Sequence, residues 1–361
     1  MLLFLSARLT LPISYRNATH PRTIINVSSS LFSDNHPPDN HAASSPAWLC
    51  NCYGNDSNIP HKVQDSPVDS PRWLDDGDTQ PLVEPVQTWF ARGNKESQVR
   101  AVIEKNIQQP RTLLTTVATW QQRTDVYNWM ASLQKTNETK FVVACLDDQL
   151  HHELTLAGYK DHAFLVPPSW LHYGPATAQT YQDITPRTST VIVHQLLHLD
   201  ITVLYADVDT IWLRPRAREY LCTLIEIRWD RTHAIFQQHG FGQQVNSGFF
   251  LMRPTDVTKR LMAKVIYLQE TQTSPALTQN QAFNQVLDSL TADIRSSYVA
   301  LLDVLHFPND RAYFDEKLPA QLHVSPYLVQ VRQRNGSNRM TMLKQHKLWF
   351  AVDDTKASNQ S

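Results

Sequence analysis

Two aspartates, Asp207 and Asp209, follow directly on the apolar run 201–206. In extended backbone, side chains two positions apart point to the same side, so we expect the two carboxylates to project together. Close carboxylates repel each other unless a proton or a cation lies between them. Their oxygens suit Mn²⁺ or Mg²⁺, which proteins commonly hold through one or two carboxylates and substrate phosphates. The pair is therefore a candidate metal site; the alternatives are a solvated acidic turn and a helix N-cap.

Apolar runs that alternate with helical patterns would position this pair. Strands are predicted at 112–120, 141–146, 163–166 and 201–206, with apolar residues at helical spacing between them. Such alternation is typical of a mainly parallel, Rossmann-type α/β sheet, which binds ligands at the carboxyl ends of its strands. The chain has only 9 glycines and no G-x-G-x-x-G or Walker motif. The phosphates of a bound nucleotide would therefore need a partner other than a glycine-rich loop.

Composition narrows the class of protein. The 361 residues carry a net charge of -1, which argues against a nucleic-acid partner because such proteins usually show a basic excess. The 4 cysteines are too few for a disulfide scaffold, and none has metal-ligand spacing. We predict three parts: a weak N-terminal anchor or signal with a flexible polar stem over residues 1–110, a globular domain over 111–352, and a polar tail over 353–361.

Several blocks along the globular part resemble one known family, in the same order. They are 205–215 around the acidic pair, Asn128-Trp129, 144–147, 246–254, 281–284 and the pattern Lys344…Leu348-Trp349. Together they resemble the nucleotide-diphospho-sugar transferases, a family that includes plant cell-wall xylosyl- and arabinosyltransferases. The resemblance spans roughly residues 111–350. It implies a GT-A type fold, a mainly parallel Rossmann-like sheet flanked by helices, and identifies residues 111–352 as the transferase domain.

The implied activity is glycosyl transfer. The donor would be a nucleotide-diphosphate sugar, expected to be a UDP-sugar, and the acceptor a glycan or glycoprotein. The resemblance implies that Asp207 and Asp209 bind Mn²⁺ or Mg²⁺, with His323 in Leu322-His323-Val324 completing the metal shell. The ion would bridge the donor phosphates and stabilise charge on the departing nucleotide diphosphate. For His323 the alternative is a core or surface histidine.

The resemblance also implies residues for the rest of the donor. Ala118, Thr119 and Asp147 would contact the base and ribose, although Asp147 could equally be a helix N-cap. Arg187 stands where the family usually has Lys and would pair with phosphate or carboxylate, or be a solvated helix charge. Asp207 would contribute to donor binding as well as to the metal.

A final set of implied residues faces the donor sugar and is predicted to be catalytic: Asn246, Ser247, Asn280 and Gln281. Asn280 departs from the family, which usually has Asp there, so one charge is lost and the enzyme is expected to be slow or to use a different donor. The family implies retention of anomeric configuration. Because no side chain stands out as a nucleophile, we expect attack from the leaving-group face without a covalent intermediate.

The compartment is predicted from the sequons N-x-S/T at Asn17, Asn26, Asn55, Asn137, Asn335 and Asn359. Such sequons also arise freely in Ser/Thr-rich chains. The apolar start at residues 1–5 is interrupted by Arg8 and Pro12, short of the ~20 apolar residues of a membrane span. We nevertheless expect a Golgi-lumenal type II membrane protein, with this segment as its possible anchor.

Two other functions remain open on the sequence alone. A haloacid-dehalogenase-like phosphohydrolase also begins with an apolar strand and D-x-D, but it needs a later acidic motif. After Asp209 no such cluster occurs before Asp353-Asp354. The second alternative is a protein that binds a sugar nucleotide without turning it over.

Overall fold

The computed structural model describes residues 94–171, 185–228, 231–240, 242–272, 277–332 and 339–351. The predicted anchor, the stem up to residue 93 and the tail lie outside these ranges, as do all sequons except the one at Asn137. Within the described ranges, no helix has the length and apolar character needed to cross a bilayer.

A seven-stranded sheet forms the centre of the domain. The described strands are β1 Thr112–Ala118, β2 Val142–Cys145, β3 Ala163–Leu165, β4 Thr202–Ala206, β5 Thr210–Trp212, β6 Ala234–Gln238, β7 Val245–Met252, β8 Val299–Leu301 and β9 Leu328–Gln330. The central sheet has the order β3-β2-β1-β4-β7-β6-β8, and β5 pairs with β9 in a second, small sheet. Only β7 runs antiparallel to its neighbours in the central sheet, β4 and β6. The predicted mainly parallel sheet is confirmed.

Helices cover both faces of this sheet. They are α1 Asn94–Asn106, α2 Arg123–Lys135, α3 Asp148–Leu154, α4 Pro168–Leu171, α5 Thr185–His198, α6 Ala217–Ile227, α7 Asp256–Thr271, α8 Gln279–Asp288, α9 Ala292–Tyr298, α10 Leu318–Gln321 and α11 Arg339–Gln345. Neighbouring residues of β1 enter different cores: Leu113 packs with α5 and α7, and Leu114 packs with α2 and α6. This is the period-2 alternation of a strand buried on both faces.

The packed region begins before residue 111, where the sequence places the start of the domain. Val99 and Ile103, four residues apart on α1, are buried in the core that also contains Leu113. This spacing puts both side chains on one helix face, so the otherwise polar helix α1 is held against the sheet.

Two of the sequence blocks meet although they are far apart in the chain. The side chain of Asn128 in α2 accepts the backbone N–H of Phe350 at 2.5 Å and donates to the carbonyl of Leu348 at 3.4 Å. The block at Asn128-Trp129 thus anchors the C-terminal segment that contains Leu348-Trp349. Arg339, the first residue of α11, forms an ion pair with Asp125 of α2.

Candidate active site

The acidic pair lies in the short turn between β4 and β5, at the carboxyl edge of the parallel strands. The Asp207 N–H donates to the Gly248 carbonyl at 2.8 Å, and the Thr210 N–H closes the turn on the Asp207 carbonyl at 3.0 Å. The side-chain amide nitrogen of Gln330, Nε2, lies 3.3 Å from Asp207 Oδ2 and 3.1 Å from Asp209 Oδ1. The two carboxylates therefore converge on one point in space, which Gln330 Nε2 fills.

The other carboxylate oxygens also face donors. The Tyr205 hydroxyl donates to Asp207 Oδ1 at 2.7 Å, and Arg339 Nη1 lies 3.9 Å from Asp209 Oδ2. Burial, reinforced by the charge of Asp209, raises the pKa of Asp207 to about 7. Burial also raises the pKa of Asp209, against the opposing effect of Arg339. The donors present thus leave the negative charge of the pair only partly compensated, and a cation would favour the ionised form.

Gly248 is required by the close approach of β7 to this pair. A Cβ at this position would overlap the carboxylate of Asp207 and the side-chain amide of Gln330. The glycine of the block 246–254 therefore makes room for the acidic site, as a backbone position that tolerates no side chain.

Two predicted catalytic residues, Asn246 and Ser247, begin β7 directly beside the pair, and both are buried. Asn246 is the centre of a polar network: its Nδ2 donates to Gln237 Oε1 at 2.6 Å and to Gln330 Oε1, and its Oδ1 accepts from Arg332 Nη2 at 2.7 Å. The structure therefore places Asn246 one hydrogen bond behind the carboxylates, where it orients Gln330.

Helix α8 docks onto the first residues of β7 through two asparagines one helical turn apart. Asn280 Oδ1 accepts the Ser247 N–H at 2.9 Å. Asn284 both accepts from the Val245 N–H and donates to the Val245 carbonyl, each at 2.9 Å. Asn280 thus lies at the site edge and fixes the backbone of Ser247.

Gln281, also predicted to be catalytic, does not face the site. It is exposed, and its Oε1 accepts from the N–H and the hydroxyl of Thr278, at 3.0 and 2.9 Å. Thr278 in turn caps the Gln281 N–H at 3.2 Å. This is a reciprocal capping box, which turns the Gln281 side chain back over the start of α8.

The residues predicted to bind the base and ribose lie at the same sheet edge. Ala118 ends β1 beside the end of β2, and Thr119 follows it. Asp147 bridges these two strand ends, because its Oδ2 accepts the Trp120 N–H at 2.7 Å and its Oδ1 the Leu150 N–H at 2.8 Å. The alternative interpretation of Asp147 as an N-cap, of α3, is therefore correct, and any ligand contact would come in addition to that role.

Arg187 and His323 are not brought to the acidic pair. Arg187 in the first turn of α5 forms an ion pair with Glu270 of α7 at 2.5 Å. His323 is exposed just after α10, and in the described part of the chain no three His, Cys, Asp or Glu side chains come close enough to hold a metal ion. β9 places Gln330 opposite Thr210 next to the pair, whereas His323 lies seven residues earlier, before β9 begins.

Gln330, Arg332 and Arg339 were not found from the sequence. Gln330 lies within the otherwise apolar stretch 328–331 and Arg332 follows it, two positions after Gln330, so extended backbone would put both side chains on one face. That pattern is the signal that could have identified them. Both residues also line an open cleft, whose other walls are His239, Gly240, Asn246, Asn309, Asp310 and Arg311.

The donor set at the pair fits a hard divalent cation. Asp207 and Asp209 supply convergent carboxylate oxygens whose charge is undercompensated, as their raised pKa values show. Two protein carboxylates with substrate phosphates are a common way of holding Mg²⁺ or Mn²⁺, so a third protein ligand is not required.

Comparison with known proteins gives one family match. A family model described as nucleotide-diphospho-sugar transferase matches residues 136–342, more than half of the chain. No curated protein sequence matches significantly.

Solved structures with a similar fold include glycosyltransferases. GlyE of Streptococcus pneumoniae TIGR4 is 13% identical with a TM-score of 0.44, covering 69% of this chain and 63% of its own. This chain thus spans less than two thirds of GlyE. The galactosyltransferase LgtC, in complex with donor and acceptor sugar analogs, is 11% identical with a TM-score of 0.40 over 69% of this chain and 99% of its own. Mouse xyloside xylosyltransferase 1 is 10% identical with a TM-score of 0.41 over 61% and 97%.

Proposed function

Since the chain belongs to the nucleotide-diphospho-sugar transferase family and is a glycosyltransferase, we propose that it uses a UDP-sugar with Mn²⁺ or Mg²⁺ and glycosylates a glycan or glycoprotein. The observation that carries the metal dependence is the convergence of the Asp207 and Asp209 carboxylates on one point, 3.3 and 3.1 Å from the same nitrogen atom. The family membership removes the phosphohydrolase alternative.

Asp207 and Asp209 would hold the ion, and the ion would supply Lewis-acid stabilisation of the departing diphosphate. The protein adds fixed positive charge at the same place. Arg339 lies near Asp209, and both Arg332 and Arg339 act electrostatically on Asp207. A guanidinium pairs well with phosphate oxygens, so these two side chains are suited to binding the diphosphate as well.

The sugar would lie beside the start of β7. Ser247 and Asn246 are there, and Asn280 holds the backbone of Ser247. The described side chains nearest to the pair are amides, guanidinium groups and the hydroxyl of Tyr205, which is buried and donates to Asp207. Asp207 and Asp209 themselves would be engaged with the ion. This arrangement supports a retaining transfer in which the acceptor attacks from the leaving-group face.

A panel of nucleotide sugars tests this function. Each donor is incubated with the protein and Mn²⁺, and release of nucleoside diphosphate is measured. We expect release from a UDP-sugar, its loss with EDTA, and its loss in the double variant Asp207→Ala, Asp209→Ala. Asp148→Ala removes an exposed carboxylate outside the pair and is the matched control. Full activity of the double variant would falsify the site, and binding without release would favour the non-catalytic alternative.

We also propose that the protein works in the Golgi lumen as a type II membrane protein. The sequon at Asn137 supports this proposal, because the residue is exposed in the turn after α2 and could accept a glycan. Expression of the full chain in a eukaryotic host should give a product that loses mass on treatment with an N-glycan-removing enzyme. An unglycosylated cytosolic product would contradict the proposal.

A further inference from the structure

Gln330 is buried, with 2% of its surface exposed, and its side-chain amide occupies the point on which Asp207 and Asp209 converge. We propose that Gln330 is a positioning residue that braces the cation-free acidic pair and competes with the divalent cation for the same two oxygens. This inference rests on the proposed function, because it concerns the affinity of the metal site that the function requires.

The orientation of the Gln330 amide follows from a chain of three amides. Gln237 comes first: its Nε2 donates to the carbonyls of Phe307 and Pro308, at 3.1 and 2.9 Å. Both N–H groups of Gln237 are therefore used, and its Oε1 must accept from the next amide, Asn246, at 2.6 Å.

Asn246 is fixed in the same way from its other side. Its Oδ1 accepts from the Gly248 N–H at 3.1 Å and from Arg332 Nη2 at 2.7 Å. A backbone N–H and a guanidinium can only donate, so Asn246 cannot be reversed without losing both bonds. Its Nδ2 therefore points to Gln330 and donates to Gln330 Oε1.

Gln330 is thus left with its two N–H groups for the acidic pair, one for each carboxylate. Donors and acceptors match along the whole chain from Gln237 to Asp209, so no amide in it gains by turning over. Such a network fixes the atoms facing the pair more firmly than a single hydrogen bond would.

A divalent cation needs those same oxygens. Mg²⁺ binds carboxylate oxygens at about 2.1 Å, which is closer than the nitrogen of an amide comes to the same oxygens. The N–H groups of Gln330 offer no lone pair to an ion, so Gln330 must withdraw from Asp207 Oδ2 and Asp209 Oδ1 when the ion binds. Withdrawal also breaks its bond to Asn246. Gln330 therefore lowers the affinity of the site for the ion while stabilising the cation-free pair.

The direction in which one substitution changes the affinity for Mn²⁺ separates this role from that of a metal ligand. Gln330→Met keeps the length of the side chain but neither donates hydrogen bonds nor offers a hard oxygen to Mn²⁺. If Gln330 competes with the ion, this variant binds Mn²⁺ more tightly. If Gln330 instead turned Oε1 to the ion as a ligand, the same variant would bind more weakly.

The experiment is a titration of metal-free protein with Mn²⁺ alone, followed by electron paramagnetic resonance of the free ion. We expect the Mn²⁺ dissociation constant of Gln330→Met to fall about ten-fold, the equivalent of one charge-assisted hydrogen bond. Gln330→Ala, which leaves room for a water molecule at Asn246 Nδ2, should shift in the same direction if the Met variant folds poorly. Circular dichroism checks the fold of both variants.

Gln238→Met is the matched control, because Gln238 lies on β6 and donates to the Leu302 carbonyl at 2.7 Å, away from the pair. Its Mn²⁺ dissociation constant should equal that of the parent. Asp209→Ala, which lacks one of the two carboxylates, gives the reference for Mn²⁺ binding without an intact site. If Asp209→Ala loses binding but Gln330→Met binds no more tightly than the parent, the inference about Gln330 is overturned and the metal site stands. If the parent binds no better than Asp209→Ala, the metal site itself fails, and the inference with it.

Discussion

Asp147 and Asp207 follow buried strands of the same sheet, β2 and β4, at the same edge, and yet they have different surroundings. Both oxygens of Asp147 accept backbone N–H groups, those of Trp120 and Leu150. Within the described residues, the oxygens of Asp207 accept only side-chain donors, the Tyr205 hydroxyl and the Gln330 amide. A further carboxylate, Asp209, converges on that same amide.

On the proposed function, this difference separates a structural carboxylate, Asp147, from a metal-binding one, Asp207. Backbone N–H groups at a helix start are fixed, so Asp147 stabilises the fold whether or not a ligand is present. Side-chain donors can move, and burial next to Asp209 raises the pKa of Asp207 to about 7, so this pair has a reason to take up a cation. Substitutions at the two positions should therefore affect different properties.

The largest effect is expected at the pair. Asp209→Ala should lower metal-dependent turnover at least 100-fold, roughly 3 kcal/mol of transition-state stabilisation, because the ion loses a ligand. In EDTA the variant should melt no lower than the parent, since two repelling carboxylates do not stabilise the fold. Steady-state kinetics and thermal melts measure both. A variant that loses stability and activity together would make Asp209 structural, like Asp147.

Asp147→Ala should act on folding instead. Two backbone N–H groups lose a charged acceptor, so the free energy of unfolding is expected to fall by about 2–3 kcal/mol. Chemical denaturation followed by fluorescence gives this value. Asp148→Ala is the control: this neighbour is exposed in the first turn of α3 and should change stability by less than about 0.5 kcal/mol. Equal denaturation midpoints for the two variants would remove the structural role of Asp147.

The pH dependence of the stability of the metal-free protein tests the comparison at Asp207. Burial raises the pKa of Asp207 from 3.8 to about 7, so between those values the folded protein holds a proton that the unfolded chain has lost. Stability should therefore fall as pH rises from about 4 to 7. Residue 207 cannot ionise in Asp207→Asn. The free energy of unfolding of this variant should therefore fall by about 2 kcal/mol less than that of the parent between pH 5 and 7.5. Urea denaturation in EDTA measures it; parallel curves for variant and parent would contradict the raised pKa.

A substitution at Asn280 should give the smallest effect, because its side-chain oxygen already accepts a hydrogen bond from the Ser247 N–H. Asn280→Asp keeps this acceptor and adds a charge beside the sugar position, so turnover or donor preference should change by about 1–2 kcal/mol. The donor panel measures the change. Gln281→Glu, which alters an exposed capping residue, is the control, and equal behaviour of both variants with every donor would show that residue 280 is not near the sugar.

Local patterns in the sequence predicted the strands and the acidic pair, because both depend on residues that are neighbours in the chain. The apolar runs became strands, and Asp207 and Asp209 lie together because one turn of chain places both. Gln281 could have been interpreted correctly from the same kind of pattern, since Thr278-x-x-Gln281 is a capping box. The prediction for His323 rests on the short pattern Leu322-His323-Val324, which does not indicate which residue of this segment lies beside the pair.

The remaining contacts of the site depend on pairing between distant segments, which no local pattern in the sequence predicts. Gln330 reaches the acidic pair because β9 pairs with β5, and Arg339 lies near the pair where it forms an ion pair with Asp125 of α2. A glycine at residue 248 is compatible with close backbone approach, but the atoms it makes room for, those of Asp207 and Gln330, come from distant parts of the chain. Such contacts depend on the packed sheet rather than on any one segment.

The central claim, that Asp207 and Asp209 bind the donor diphosphate through a divalent ion, is tested most directly by calorimetric titration of UDP. The parent should bind UDP with Mn²⁺ and lose at least about ten-fold in affinity with EDTA, and Asp207→Asn, Asp209→Asn should bind equally weakly with and without the ion. UDP binding by the double variant that equals the parent's and is unaffected by EDTA would contradict the account.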